Sequence, residues 1–296
     1  MSSSNRKGVL EELWRTIIKT FKMLRFFKFS WIFFPKLNIQ PEELYTACLD
    51  SDIKFLSCNL FKKRLYFIYK DKYYLVTNYS VATIVQIFTY KPYQLPSSQK
   101  KYIVFDVGMN KGFSSMWFAM HSSVQRVIGY EVNADLLELI MENREMNKKL
   151  FKKIEFHGFG LAGSSRKIMI HSLTNDDGVT TINDQFYNKY WSKERKAKGI
   201  EKIAYVKKAS KQIEKYMKRN TNKSYVLKID VEGAEYEIFN DLQKNKLLDR
   251  FDIIMGETHL GFDCIKKQLR KFDIVQLETF DNNLNTFLAY RNKYED

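Results

Sequence analysis

Proline all but disappears partway along this chain: of 296 residues only four are proline, and Pro35, Pro41, Pro92 and Pro96 all lie before residue 97. The later two thirds contain no residue lacking a backbone donor, so helices and inner strands can run uninterrupted there. Glycine is distributed the other way, with eleven of twelve after residue 107. Cysteine is scarce as well. Cys48, Cys58 and Cys264 are odd in number and far apart, which excludes a complete disulfide framework and a zinc ribbon and points to a reducing cytoplasm. Long uncharged apolar runs are missing. In Leu13 to Phe34 charges recur from Arg15 to Lys28, too often to span a bilayer, and the segment lacks the uncharged core and small-residue cleavage site of a signal peptide.

What is present is enough for a large folded core, since 45% of the residues are apolar. The net charge is +15, and its location is informative: residues 1–100 carry 16 basic against 7 acidic side chains, and 189–223 carry 13 against 3. Two segments hold the whole basic excess. They suit a polyanion, a membrane surface or an anionic substrate, or else are lysine-rich solvated faces.

The opposed distributions of proline and glycine mark a boundary within Lys91 to Lys101, "KPYQLPSSQKK", which has linker composition. The reading is an N-terminal α+β extension over 1–98 and a second domain over 99–296. In the extension, Trp14, Ile17, Ile18, Phe21 and Leu24 fall at helical spacing opposite Arg15, Lys19 and Lys22. This basic amphipathic helix, within 13–34, either packs on its own domain or lies peripherally on a membrane. Arg64 to Thr77 reads as a β-hairpin.

After the linker, strands and helices alternate. Strands are expected over 102–107, 126–131, 154–159, 225–231, 251–257, 272–278 and 286–290, with helices near 113–122, 134–147, 207–219, 234–244 and 262–271. That order implies a doubly wound, mostly parallel seven-stranded sheet. No helix separates the last two strands, and Asp281, Asn282 and Asn283 supply turn chemistry, so one strand runs antiparallel. This is the arrangement of a class I, Rossmann-like methyltransferase.

The first of these strands ends in Asp106-Val-Gly108-Met-Asn-Lys-Gly112 and enters a helix. Neither G-x-G-x-x-G nor a G-K-[ST] phosphate loop is present, which argues against NAD and nucleoside triphosphates. Asp106 suits a ligand's amino group, directly or through water. The next strand ends in Glu131, whose carboxylate can accept both hydroxyl hydrogens of a ribose. The absent diphosphate-binding glycine pattern favours S-adenosylmethionine over NAD. Asn133 is either a helix cap or a minor adenosine contact. Gly160, Leu161 and Ala162 fall where the adenine edge belongs.

The fourth strand delivers "VLKIDVEGAEYEIF" and the fifth "IMGETHL". Together with Asp106 to Gly112 and Glu131, these runs closely resemble the FkbM family of S-adenosylmethionine-dependent methyltransferases over about residues 64–291. Departures are Met109 and Lys111 in the glycine loop and the lysine-rich insert 189–223. The resemblance implies O-methylation of a hydroxyl on a carbohydrate, glycolipid or similar small molecule, with cofactor contacts at Asp106, Gly108, Asn110, Gly112, Glu131, Gly160 and Leu161.

Methyl transfer to a hydroxyl needs alignment and a group to take the proton. Asp230 is placed to orient or deprotonate the acceptor, and Glu257 and His259 are alternative proton acceptors. Lys228, Glu232 and Gly233 are assigned to the acceptor, while Glu235 is read as a first-turn acid stabilised by the helix dipole. Asp230, Glu232, Glu257 and His259 also have the donor types of a magnesium or manganese site, although no metal is assigned. The competing reading is an RNA ribose methyltransferase using the basic surface; base N-methylation is opposed by "IDVEGAE" in place of an Asn/Asp-Pro-Pro-aromatic turn. His121, His157 and His171 are read as structural.

Overall fold

The computed structural model describes residues 47, 52–78, 80–96, 100–173, 180–217, 223–280 and 284–292. The basic helix expected within 13–34, the first part (174–179) of the stretch "TNDDGVTTIN", whose composition reads as a loop able to close over substrate, and the turn at 281–283 lie outside the described residues. The chain forms two compact units, Met1–Tyr90 and Lys91–Asp296.

In the first unit, β1 (Ile53–Asn59), β2 (Arg64–Tyr69) and β3 (Tyr73–Thr77) make an antiparallel sheet in that order. The hairpin expected over 64–77 is β2 and β3, and Leu65, Phe67 and Tyr69 alternate inward along β2. β1 was not anticipated because only Ile53 of its residues is buried, which leaves no period to read.

The second unit holds ten strands and seven short helices among the described residues. The strands are β4 (Lys101–Val107), β5 (Val124–Tyr130), β6 (Ile154–His157), β7 (Gly160–Ala162), β8 (Arg166–Leu173), β9 (Gly199–Lys208), β10 (Lys223–Ile229), β11 (Ile253–Thr258), β12 (Phe272–Phe280) and β13 (Leu284–Arg291). The helices are α1 (Phe113–Met120), α2 (Leu137–Met146), α3 (Asp184–Tyr190), α4 (Lys193–Ala197), α5 (Ala209–Glu214), α6 (Glu235–Lys244) and α7 (Asp263–Lys266).

The large sheet has the order β12-β13-β11-β10-β4-β5-β6. Strands β11 through β6 are mutually parallel, and β13 runs antiparallel to both of its neighbours. All seven expected strands are present, including the antiparallel one. β4 and β10 are buried along nearly their whole length, which is why their sequences read as continuous apolar runs rather than alternations. Phe105, Leu227 and Ile229 pack with Ile213, Ile238, Phe239 and Leu242 of the helices in one apolar cluster. Each such side chain contributes about 1.5–3 kcal/mol when fully buried.

A second sheet, β7-β9-β8, was not foreseen. Within the lysine-rich segment, β9 turns Ala204 and Val206 inward and Ile203, Tyr205 and Lys207 outward. Its charge density hid that alternation, so the helix expected over 207–219 begins only at Ala209. Strand order in the large sheet reverses between β4 and β10, and the crevice beyond their carboxyl ends is where a doubly wound sheet binds ligands.

Candidate active site

The carboxyl end of β10 is flanked by two glycines that permit close backbone approach. A Cβ on Gly108 would stand 1.8 Å from the Asp230 carbonyl oxygen, and one on Gly256 would stand 1.8 Å from that of Ile229. Any side chain at either position would force β4 or β11 away from β10. Gly108 also has a φ of 83°, a left-handed value that favours glycine. Gly256 was missed in the sequence, although a glycine inside a strand is the recognised sign of such an approach.

The glycine loop is held from below. The Lys228 Nζ donates to the Gly108 carbonyl at 2.7 Å and pairs with Asp106 at 3.3 Å. Ser114 and Ser115 hydroxyls donate to the other Asp106 oxygen at 2.7 and 2.6 Å. Asp106 is fully buried and Lys228 is 2% exposed. Burial works against the lysine charge, but Asp106 and then Asp230 outweigh it and hold the Lys228 pKa above the ordinary value. Asp106 and Lys228, expected at the ligand and at the acceptor, thus meet beneath the loop, and the Lys228 Nζ also stands 3.7 Å from Asp230. Met109 fills the space beside Gly129, where a Cβ would meet its sulfur at 2.4 Å. Lys111 is wholly buried.

Glu131 closes the other side of the loop. Its carboxylate accepts from the backbone N–H of Asn110 and from that of Asn133, both at 2.8 Å. Asn110 itself is left-handed, with φ 52°, which turns its N–H toward Glu131. Burial raises the Glu131 pKa to about 7 against the lowering effect of those donors. Asn133 caps the following turn through Asp135 and donates to Thr180 at 3.1 Å. Gly160 packs its backbone against Val132, and Leu161 belongs to the apolar cluster.

Beyond β10 and β11 the acids converge on one imidazole. The His259 Nε2 lies 3.5 Å from Glu232, 3.9 Å from Glu257 and 4.0 Å from Asp230. Its Nδ1 is 2.8 Å from Glu235. Glu235 is fully buried and accepts from the N–H groups of Val231 and Gly233. It closes the tight turn in which Glu232 and Gly233 have φ 52° and 101°. The sequence reading gave Glu235 to the helix; the structure adds the orientation of His259 to its work. Tyr236, one residue on, donates to the Gly261 carbonyl and accepts from the Leu260 N–H, pinning the loop after β11. Burial disfavours a charge on His259, but Glu232 and Glu235 more than offset it and raise its pKa well above the usual histidine value. Burial and then the charge of Asp230 push Glu257 up to about 8.

Two contributors come from segments in which no individual site residue was expected. Tyr93, in the linker-like stretch, is 4% exposed, and its hydroxyl reaches Asp230. Burial, followed by the charges of Asp230 and Glu257, raises its pKa, which places the phenol beside these acids. The segment 180–186 straps the site: the Thr181 hydroxyl donates to the Glu232 carbonyl, Asn183 donates to that of Gly233 at 2.7 Å, and Phe186 meets the His259 ring edge-on. The same segment reaches Asn133 through Thr180, so it touches the ends of both β5 and β10.

A sheet of this order, with a glycine loop after its first strand and a ribose-type acid after its second, defines a class I methyltransferase. The Methyltransferase FkbM domain model matches residues 106–293, and the chain belongs to that family. The model that matches describes a methyltransferase domain, a domain type whose methyl donor is S-adenosylmethionine. The residues fit that donor, because Glu131, with about four lone-pair sites and backbone donors at two, keeps acceptor capacity for a ribose. Among other similar proteins, an uncharacterized protein of Methanocaldococcus jannaschii is 27% identical over 158 residues, 51% of this chain and 36% of the other. The chain thus spans about a third of that relative's length. Methyltransferase FkbM from Methylobacillus flagellatus has 14% identity and a TM-score of 0.41 over 66% of this chain and 44% of its own. TrmK of M. capricolum, solved with S-adenosyl-homocysteine, has 9% identity and a TM-score of 0.37 over 67% of this chain and 66% of its own. Likenesses of this degree say nothing about a shared acceptor. Among the described residues, no helix is long and apolar enough to cross a membrane.

Proposed function

We propose that this chain methylates a hydroxyl oxygen of a carbohydrate, glycolipid or similar small molecule. The supporting observation is the set of proton acceptors at the ends of β10 and β11, where Asp230, Glu232 and Glu257 all lie within 4.0 Å of His259. A hydroxyl is a poor nucleophile until its proton leaves, and such a cluster beside the cofactor strands supplies the destination. In the reaction the S–CH3 bond breaks as the O–CH3 bond forms, the hydroxyl proton passes to the cluster, and S-adenosylhomocysteine is released. Asp230 orients or deprotonates the acceptor, His259 stands 4.0 Å away as its counter-charge, and Glu232 with the Gly233 backbone lines the acceptor side. Alignment in a fixed site provides most of the acceleration. The basic segment 13–34 brings the enzyme to a membrane face where lipid-linked acceptors reside.

The test is transfer of labelled methyl from S-adenosylmethionine to a panel of free sugars, glycolipids and bulk RNA. Label in a sugar as an alkali-stable methyl ether, lost with Asp230→Asn, is the expected result. Label in RNA ribose alone would refute this reading and leave the nucleic-acid alternative.

A further inference from the structure

We propose that the turn joining β1 to β2, residues 60–63, is a tip that inserts into an anionic bilayer and docks the first unit on it. The proposal rests on the reading that the enzyme works at a membrane face, and it adds a folded point of contact to the segment 13–34. Phe61 is fully exposed, at 101%, and Leu60 beside it is 39% exposed. Hairpin turns favour Gly, Asn, Asp and Ser; this one reads Leu-Phe-Lys-Lys. Single exposed apolar residues are ordinary on a protein surface, but a leucine and a phenylalanine in succession at the end of a hairpin need a partner phase.

The turn is a built structure. Strand pairing runs up to Asn59 and Arg64, the Lys62 N–H donates to the Asn59 side chain at 3.0 Å, and the Arg64 guanidinium donates to the Lys62 carbonyl at 3.0 Å. Lys63 completes the reversal with φ 55°. These bonds fix the backbone on both sides of Phe61 and leave its ring in water, so the tip is already formed before it meets a surface.

Charge identifies that surface. No acidic residue occurs from Ile53 to Lys70, and Lys62, Lys63 and Arg64 directly follow the apolar pair. Asp52 and Asp71, which bound this stretch, lie at the opposite end of the hairpin, where they pair with Lys70 and Lys54. An apolar end with cations immediately behind it matches the layering of a bilayer, with Phe61 and Leu60 at the acyl boundary and the basic groups at lipid phosphates. A second copy of the chain fits less well. It would bring the same cations face to face, and a turn of four residues falls far short of the roughly 800 Å² per partner that a stable protein interface buries.

The test is cosedimentation of the full chain with vesicles of phosphatidylcholine alone and of phosphatidylcholine mixed with phosphatidylserine. Wild type is expected to bind the mixed vesicles. Phe61→Ser should weaken that partition about tenfold, as expected for one large apolar side chain leaving an apolar phase. Lys62→Ser with Lys63→Ser should weaken it roughly 25-fold, at about fivefold for each charge near the surface. Both variants should keep the wild-type circular dichroism and calorimetric S-adenosylmethionine binding, because the replaced side chains are exposed. Val275→Ser, which removes a 55% exposed apolar side chain from the second unit, should bind vesicles as wild type does. Undiminished binding by both tip variants, or an equal loss in Phe61→Ser and Val275→Ser, overturns the tip and leaves 13–34 as the membrane contact. Absence of vesicle binding by wild type removes the membrane reading and the tip together. A dimer in sedimentation velocity that Phe61→Ser dissociates would overturn the proposal in favour of a second copy. None of these readouts involves a methyl acceptor, so the tip and the acceptor assignment fail separately.

Discussion

Removing the Lys228 charge is expected to cost more than any single contact it makes. In Lys228→Met the Asp106 carboxylate, fully buried, keeps its two serine donors at 2.7 and 2.6 Å but loses its counter-charge at 3.3 Å. Breaking a buried pair by deleting one partner typically destabilises by about 3–5 kcal/mol, because the other charge is left uncompensated. For a unit of about 200 residues, whose total stability is of order 5–15 kcal/mol, that corresponds to roughly 6–20 °C in Tm. The Gly108 carbonyl also loses its donor, worth about 1–3 kcal/mol if it stays buried and unpaired. Asp106→Asn combined with Lys228→Met removes both charges of that pair and leaves the second deficit, together with the loss of the 3.7 Å approach of Lys228 to Asp230, which both variants share. The double variant should therefore be more stable than Lys228→Met by about 3–5 kcal/mol, a coupling measurable by a double-mutant cycle. Urea unfolding of the wild type and of all three variants without ligand supplies the four numbers. A Lys228→Met loss below about 1 kcal/mol, or a double variant less stable than the single, would refute the idea that the charged pair supports the loop.

The remaining predictions concern the cofactor acid and the basic segment. Glu131 has its pKa raised to about 7 in the folded protein by burial, against about 4.3 for a free glutamate. Folding thus disfavours the charged form, so the stability is fully present below the unfolded pKa and declines as pH rises from there to about 7. Glu131→Gln should consequently melt higher than wild type at pH 8 and at nearly the same temperature at pH 4.5, while binding S-adenosylmethionine more than tenfold more weakly in calorimetry. Wild-type affinity for the cofactor should fall as pH drops below about 7; a flat profile from pH 5.5 to 8 would count against Glu131 as the ribose acceptor. The full chain should sediment with vesicles containing anionic lipid and not with neutral ones. Glutamate at Arg15, Lys19 and Lys22 together should abolish that, and unchanged sedimentation would remove the membrane role of 13–34.

How much of this was legible in the residues varies with the range of the interactions concerned. The seven strands of the large sheet could be placed because their signals are local: β4 and β10 are continuous apolar runs, and the turn-forming residues after β12 announce the antiparallel return. Gly108, Gly112, Glu131, Asp230 and His259 could be chosen as site residues because strand ends in a doubly wound sheet are where ligands bind, and position along a strand is a local property. The chain by itself therefore determined the large sheet and the family.

The roles inside the site were decided only in three dimensions. Lys228 and Gly108 are 120 residues apart, and no period or motif tells that the lysine holds the loop carbonyl while standing 3.7 Å from Asp230. His259 and Glu235 are 24 residues apart, and helix-dipole reasoning, which sees only the first turn of α6, cannot find the imidazole across it. Tyr93 and the strap over 180–186 come from segments with linker and loop composition, where the residue types are typical of turns and carry no periodicity. Side-chain direction, burial and charge pairing at these positions follow from which elements the fold brings together, and those are properties of the assembled sheet and not of any stretch of sequence.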